Sequence, residues 1–306
     1  MVKPIDLSVQ IGRKLTLKNP IMNASGTFAY GEEFARFMDL NCLGAVVTKG
    51  LSLEPKRGNP TPRVAETASG MLNAIGLENV GLERFLEEKL PFLKRYDVPV
   101  IVNFFGVSET DYAHMAHRLD QTAVDGLEMN VSCPNVKKGG IQFGRDPYTL
   151  SSVVKIVRAR TSKPLIVKLS PLVSDIAETA RAAEEYGADA LTCINTIPAM
   201  AIDEETRRPV LGNVTGGLSG PAIKPVALKL VWEAAKAVRI PVIAAGGISN
   251  ARDAVQFLLA GASACQIGTH SLVEPFCFRP IIAGIEDYLE RQGVQRLTDI
   301  IGALRT

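Results

Sequence analysis

Residues 241–269 read PVIAAGGISNARDAVQFLLAGASACQIGT. An apolar, β-branched run opens the stretch, two glycines end it, and residues 250–259 then place apolar side chains at helical spacing. A glycine follows the helical pattern, a second apolar run covers 264–268, and Gly268-Thr269 closes the stretch. This order predicts two parallel strands joined by a crossover helix. Neither run alternates with polar residues, as expected of strands covered on both faces.

The same unit recurs outward along the chain. Short apolar runs at 20–23, 45–49, 98–104, 126–131, 165–169, 188–195, 241–245 and 264–268 predict eight strands. Amphipathic stretches at 149–160, 176–186 and 224–238 join 250–259 between them, and several end in Gly or run into Pro. Eight strands alternating with helices fit a closed barrel or a large open sheet. With 306 residues, against roughly 250 for a (β/α)8 TIM barrel, the α/β reading settles on the barrel.

With no Gly/Ser tract, charge block or low-complexity run, residues 1–306 read as a single domain. Residues 1–19 form an N-terminal extension, and Gly12-Arg13 between two alternating segments predicts a hairpin over the barrel floor. The connections 50–79, 134–147 and 196–220 are too long for plain strand-to-helix turns. All three follow strands, which gathers them on the C-terminal rim, where such barrels keep their active sites.

Composition excludes several classes. Hydrophobic residues make up 46% and charged residues 22%, ordinary globular usage. The 34 Lys and Arg nearly balance 32 Asp and Glu, so no large positive field is available for nucleic acid. The start, MVKPIDLSVQ, lacks the apolar core of a signal peptide, and no apolar run reaches the roughly 18 residues of a membrane helix. A cytoplasmic protein without a membrane partner is expected.

At or just beyond the strand ends lie Asn23, Thr48, Lys49, Asn103, Asn130, Cys133, Lys168, Asn195 and Thr196. Any one could be a structural cap. Together they predict a polar ring at a barrel mouth, where each group needs a partner. Gly246-Gly247 after the seventh strand and Gly268-Thr269 after the eighth match the phosphate site of this fold, because glycines let backbone N–H groups approach an anion. Lys168 is the only charge in its strand, so it meets an anion, serves as a Schiff-base amine, or snorkels to solvent.

The five cysteines form no Cys-x-x-Cys pair, so no metal or iron-sulfur site is expected. Cys42, Cys193, Cys265 and Cys277 read as small hydrophobes. Cys133 differs: it stands in the polar turn Asn130-Val131-Ser132-Cys133-Pro134-Asn135 and opens a loop containing Gly139, Gly140 and Gly144. A thiol acts as a base once nearby cations, backbone donors or desolvation on substrate binding lower its pKa, and Lys49 could supply such a field.

The segments NPIMNASGTF (19–28), TKGLSLEPKRGNP (48–60), MLNAIGL (71–77) and NVSCPN (130–135) resemble the dihydroorotate dehydrogenases. VKLSP (167–171), INT (194–196), GGLSG (216–220), GGI (246–248) and IGT (267–269) follow in the same order, so the resemblance runs nearly end to end. Cysteine at position 133 is similar to the soluble enzymes, whereas membrane-bound relatives use serine and carry an N-terminal membrane segment. The blocks at 54–62 and 70–81 look most like the heteromeric, NAD-linked subclass; Asn23 and Val80 depart from the commoner residues there.

That resemblance implies FMN and a set of residue roles. Ala24 and Ser25 would line the flavin, Thr48 and Lys49 would meet flavin and substrate, and Asn103 and Asn130 would bond the isoalloxazine edge or ribityl chain. Lys168 would stand beside flavin N1, where a fixed cation favours the reduced state. Ile194 would pack near the ring, and Gly220, Gly246, Gly247, Gly268 and Thr269 would hold the ribityl phosphate. Asn73, Ala74, Ile75, Gly76, Leu77, Asn130, Asn195 and Thr196 would surround dihydroorotate, with Lys49 on its carboxylate.

The implied reaction is oxidation of dihydroorotate to orotate in pyrimidine (UMP) biosynthesis. Cys133 takes the C5 proton, the hydride leaves C6 for FMN N5, and residues 134–147 act as a catalytic loop. No Gly-x-Gly-x-x-Gly follows a strand, so electrons are expected to reach NAD through a partner subunit with FAD and an iron-sulfur cluster. The assembly implied is a homodimer core within a heterotetramer.

Rival enzymes are a dihydropyrimidine dehydrogenase-like protein, a soluble fumarate-linked dihydroorotate dehydrogenase, and a flavin-dependent tRNA dihydrouridine synthase. The near-neutral charge argues against the last. A non-redox phosphate-binding barrel, such as an aldolase with a Schiff base at Lys168, is the reading from another class.

Overall fold

The computed structural model describes residues 4–13, 15–131 and 143–305. Eight parallel strands form one sheet: β1 (Ile21–Asn23), β2 (Val46–Val47), β3 (Val100–Phe104), β4 (Gly126–Asn130), β5 (Leu165–Lys168), β6 (Ala190–Cys193), β7 (Val242–Ala245) and β8 (Ala262–Ile267). Their spatial order is β1-β8-β7-β6-β5-β4-β3-β2. A parallel bridge between Met22 and Ala45, with Gly44 N–H donating to Ile21 O at 2.8 Å, joins the two ends and closes the barrel. The TIM-barrel expectation holds.

Six longer helices cover the outside: Glu109–Asp120, Pro147–Arg158, Ile176–Glu185, Lys224–Ala237, Ala251–Leu259 and Phe278–Arg291. Several starts are set by side-chain caps that satisfy otherwise unpaired backbone N–H groups. Ser108 accepts from Asp111 N–H, Asp146 from Thr149 N–H, Asp175 from Ala177 N–H and Asn250 from Asp253 N–H, all within 3.1 Å. Apolar side chains of the strands and helix inner faces merge into one continuous core. Among the described residues, no helix is long and apolar enough to cross a membrane.

At the N-terminal end of the barrel, Val9–Gln10 pairs with Thr16–Leu17 in an antiparallel hairpin turning at Gly12, whose φ is +62°. A Cβ on Gly12 would lie 2.6 Å from Asp189 Cβ, just before β6, and one on Gly126 would lie 3.4 Å from Leu15 Cδ2. The hairpin therefore covers the floor, as its sequence suggests.

At the opposite end, the long connections build structure that the strand pattern did not announce. Val64–Thr67 and Gly70–Asn73, from the connection after β2, pair with Gly216–Ser219 and Ile197–Ala199, from the connection after β6. These four make an antiparallel sheet of their own, with Asn73 opposite Gly217 and Leu72 opposite Leu218. Leu72, Ala74 and Leu211 form a small separate core against it. This second sheet roofs the barrel mouth.

Candidate active site

Between barrel and roof lies a cavity of about 490 Å³. Among the described residues, every site residue singled out from sequence lines it except Asn23 and Thr48. Cys133 lies outside the described residues, as does most of the 134–147 loop; Gly144 and Arg145, at the loop's end, line the cavity. Thr48 is fully buried behind the wall, where its hydroxyl accepts from Asn103 N–H and donates to Lys49 O, both at 3.2 Å. It shapes the strand end that presents Lys49.

Asn23, at the end of β1, also leaves the ring predicted from sequence. Its Nδ2 donates to Val47 O at 2.6 Å and its Oδ1 accepts from Val47 N–H at 3.0 Å. The amide thus imitates a peptide group across the seam where β1 meets β2.

Three zones follow from the elements that carry them. The first is a glycine cradle formed by Gly246 and Gly247 after β7, Gly268 after β8, and Gly220 at the end of the roof strand. Gly220, Gly246 and Gly247 have φ values of +91°, +133° and +76°, which side chains rarely adopt. A Cβ on Gly247 would lie 2.6 Å from Lys224 Cβ and 2.8 Å from Gly220 O. Thr269 Oγ1 donates to Ser219 Oγ at 2.8 Å, tying the cradle to the roof.

The second zone is the barrel's upper interior. Lys168 on β5 is buried, with Nζ 3.4 Å from Ser25 Oγ, 3.4 Å from Gln266 Oε1 and 3.7 Å from Glu128 Oε1. Asn103 on β3 donates through Nδ2 to Glu128 Oε1 at 2.7 Å, while its buried Oδ1 has no hydrogen-bond partner. A buried acceptor left unmade is costly, so its place on the cavity wall marks where a donor belongs.

In the third zone, beneath the roof, Lys49 stands 3.6 Å from Glu78 Oε2, which also accepts from Arg63 Nη1 at 3.0 Å. Asn73 Nδ2 donates to Gly217 O at 3.2 Å, and Thr196 N–H donates to Asn195 Oδ1 at 2.8 Å. Gly76 and Leu77 both take positive φ, +75° and +59°, which turns the 74–78 segment against the cavity.

Glu128, Gln266 and Thr192 within the barrel strands, and Arg63 and Glu78 in the connection after β2, were not singled out from sequence. Glu128 carried a readable signal, being the only charge in its apolar run just as Lys168 is in its own. Nothing in a single sequence pairs Glu78 with Lys49. Of the remaining thiols, burial pushes Cys193 and Cys277 up to about 12, and it raises Cys265 and Cys42 as well. Among the described residues, no group of His, Cys, Asp and Glu side chains could hold a metal ion.

A model of the dihydroorotate dehydrogenase family matches residues 7–289. The chain belongs to this family. It is 56% identical over 306 residues to a dihydroorotate dehydrogenase B (NAD(+)) catalytic subunit of Geotalea daltonii, covering all of both chains. It is 58% identical to the protein of the same description from Trichlorobacter lovleyi, over 97% of this chain and 98% of that one. A crystal structure of DHODH from Eimeria tenella in complex with ferulenol matches with a TM-score of 0.79 at 25% identity, covering 97% of this chain and 88% of that chain. Dihydroorotate dehydrogenases are flavin-dependent oxidoreductases, so the cavity above β5 and β8 belongs to a redox enzyme.

Proposed function

We propose that this dihydroorotate dehydrogenase binds FMN in the cavity, oxidises dihydroorotate to orotate for pyrimidine biosynthesis, and hands its electrons to NAD through a partner subunit bearing FAD and an iron-sulfur cluster. The observation that carries the reading is the unpartnered Oδ1 of Asn103, a residue that shares Glu128 Oε1 with Lys168 and lines the same cavity as the glycine cradle. A flavin offers a matching set: an imide N–H for the acceptor, an edge that gains charge on reduction for the cation, and a phosphate for the cradle. FMN supplies the acceptor for the substrate's hydride.

The chain's own residues perform the rest. Gly220, Gly246, Gly247, Gly268 and Thr269 hold the phosphate end, Ala24, Ser25 and Ile194 pack the ring, and Asn103, Asn130 and Lys168 fix its polar edges. Asn73, the 74–77 segment, Asn130, Asn195 and Thr196 take the amide-like edges of the pyrimidine. Lys49 meets the carboxylate, which then replaces Glu78 as its anionic partner. Cys133 accepts the C5 proton as the C6 hydride departs, and the roof excludes water from the reacting atoms.

Purified protein is tested by its flavin absorbance and by anaerobic mixing with dihydroorotate, which should bleach the flavin and release orotate. Colourless protein that takes up no FMN, or flavin that stays oxidised, overturns the reading. Cys133→Ser keeps FMN but bleaches about 10²- to 10⁴-fold more slowly, the deficit easing as pH rises, because a serine hydroxyl is a poor base near neutrality. Rapid mixing across pH 6 to 10 measures it, and an unchanged rate removes Cys133 from the role.

A further inference from the structure

Five strands send a polar side chain to one point inside the barrel, and the centre of that point is an acid. Glu128 on β4 is fully buried. Its Oε1 accepts from Asn103 Nδ2 at 2.7 Å, and its Oε2 accepts from Thr192 Oγ1 at 2.7 Å and Gln266 Nε2 at 2.6 Å. Lys168 Nζ lies 3.7 Å from Oε1. Lys168, Asn103 and Gln266 all line the cavity, whereas Glu128 stands behind them. It therefore acts on a ligand only through its neighbours.

Two consequences follow from this placement. The first is orientation: because Asn103 commits Nδ2 to the carboxylate, its Oδ1 is turned away as the unpartnered acceptor on the wall. Gln266 is fixed in the same sense, with Nε2 on Glu128 and Oε1 facing Lys168. The second is charge, since a carboxylate this close in a poorly screened interior cancels much of the Lys168 field above it.

We propose that Glu128 is the positioning residue of this site, setting the orientation of Asn103 and Gln266 and the effective charge of Lys168, and thereby the reduction potential of the bound flavin. The inference rests on the FMN reading above. A fully expressed lysine charge would stabilise the electron-rich reduced flavin, so the carboxylate holds the potential down.

Wild type, Glu128→Gln, Lys168→Met and the double variant are compared for flavin content, melting temperature and two-electron midpoint potential by dye equilibration. Glu128→Gln should favour reduced over oxidised FMN at least about tenfold more than wild type does, a positive shift of about 30 mV. Lys168→Met should shift the opposite way, with the double variant between the two. If Glu128→Gln does not fold, the double variant must still lie positive of Lys168→Met.

Flavin-loaded variants of equal potential overturn the role of Glu128 alone. Failure of every variant to load FMN overturns it also, leaving Glu128 a residue that merely holds the barrel interior together. A colourless wild type overturns the FMN reading itself, and this inference with it.

Discussion

Gly247 shows how much one missing Cβ decides in this molecule. Its φ of +76° and the 2.6 Å approach a Cβ would make to Lys224 Cβ leave a side chain nowhere to go without moving the loop or the start of the Lys224–Ala237 helix. Gly247→Ala should cost about 1–3 kcal/mol of stability and weaken FMN binding at least about tenfold, read by melting and by flavin fluorescence titration of the apoprotein. Wild-type affinity in the variant would detach the cradle from the phosphate. The cysteines make the complementary point. With thiols pushed up to about 12 by burial, Cys193 and Cys277 carry roughly one thiolate in ten thousand at pH 8, and Cys265 is equally enclosed. Iodoacetamide at pH 8 should leave all three unmodified in the native protein and label them after unfolding, as peptide mass spectrometry would show. Orotate should protect Cys133 from labelling, and labelling of Cys133 indifferent to orotate would count against its place beside the substrate.

The roof sheet is the element that binds the two long connections into one site, and one of its tightest points is Gly217. A Cβ there would meet Thr196 Oγ1 at 2.1 Å, so Gly217→Ala must displace Thr196 and, with it, the backbone N–H that holds Asn195 Oδ1. The expected result is a KM for dihydroorotate raised at least about tenfold with flavin content unchanged, since the nearest atoms a Cβ there would meet belong to Thr196 and not to the cradle. Lost flavin with unaltered KM would place the substrate elsewhere. This sheet was also the least legible part of the sequence. The strands GMLN, GGLS and IPA are three or four residues long, show no alternation, and find partners far along the chain. The barrel strands were legible because being covered on both faces demands unbroken apolar runs, and those runs stand out. Even there the reading stopped at residue type: Asn23 and Asn103 both end strands, yet one repairs the seam between β1 and β2 while the other faces the cavity. Depth and direction come from closure of the barrel, which no local pattern encodes. Glu128 gave a signal in being the only charge in its run, but its role shows only once the donors of four other strands are seen around it.

At the scale of the whole molecule, the chain joins a barrel that can hold one flavin and one small substrate to a surface of nearly balanced charge, a net +2. Its length matches the catalytic subunits it resembles from end to end, and those proteins are described as NAD(+)-linked. Yet the sequence has no Gly-x-Gly-x-x-Gly turn to receive a dinucleotide, and the cavity between barrel and roof is the one assigned above to FMN and dihydroorotate. On the reading proposed above, the dinucleotide sites belong to the partner subunit. The chain purified alone should therefore turn over dihydroorotate with an artificial dye while reducing NAD at least about a hundredfold more slowly, and adding an FAD and iron-sulfur subunit should restore NAD reduction without altering the dye rate. Both rates are followed in one spectrophotometric assay, with fumarate as a third acceptor. Efficient NAD reduction by the isolated chain would abolish the need for a partner, and efficient fumarate reduction would move the protein to the other soluble subclass while leaving Cys133, Lys49 and the cradle in their roles.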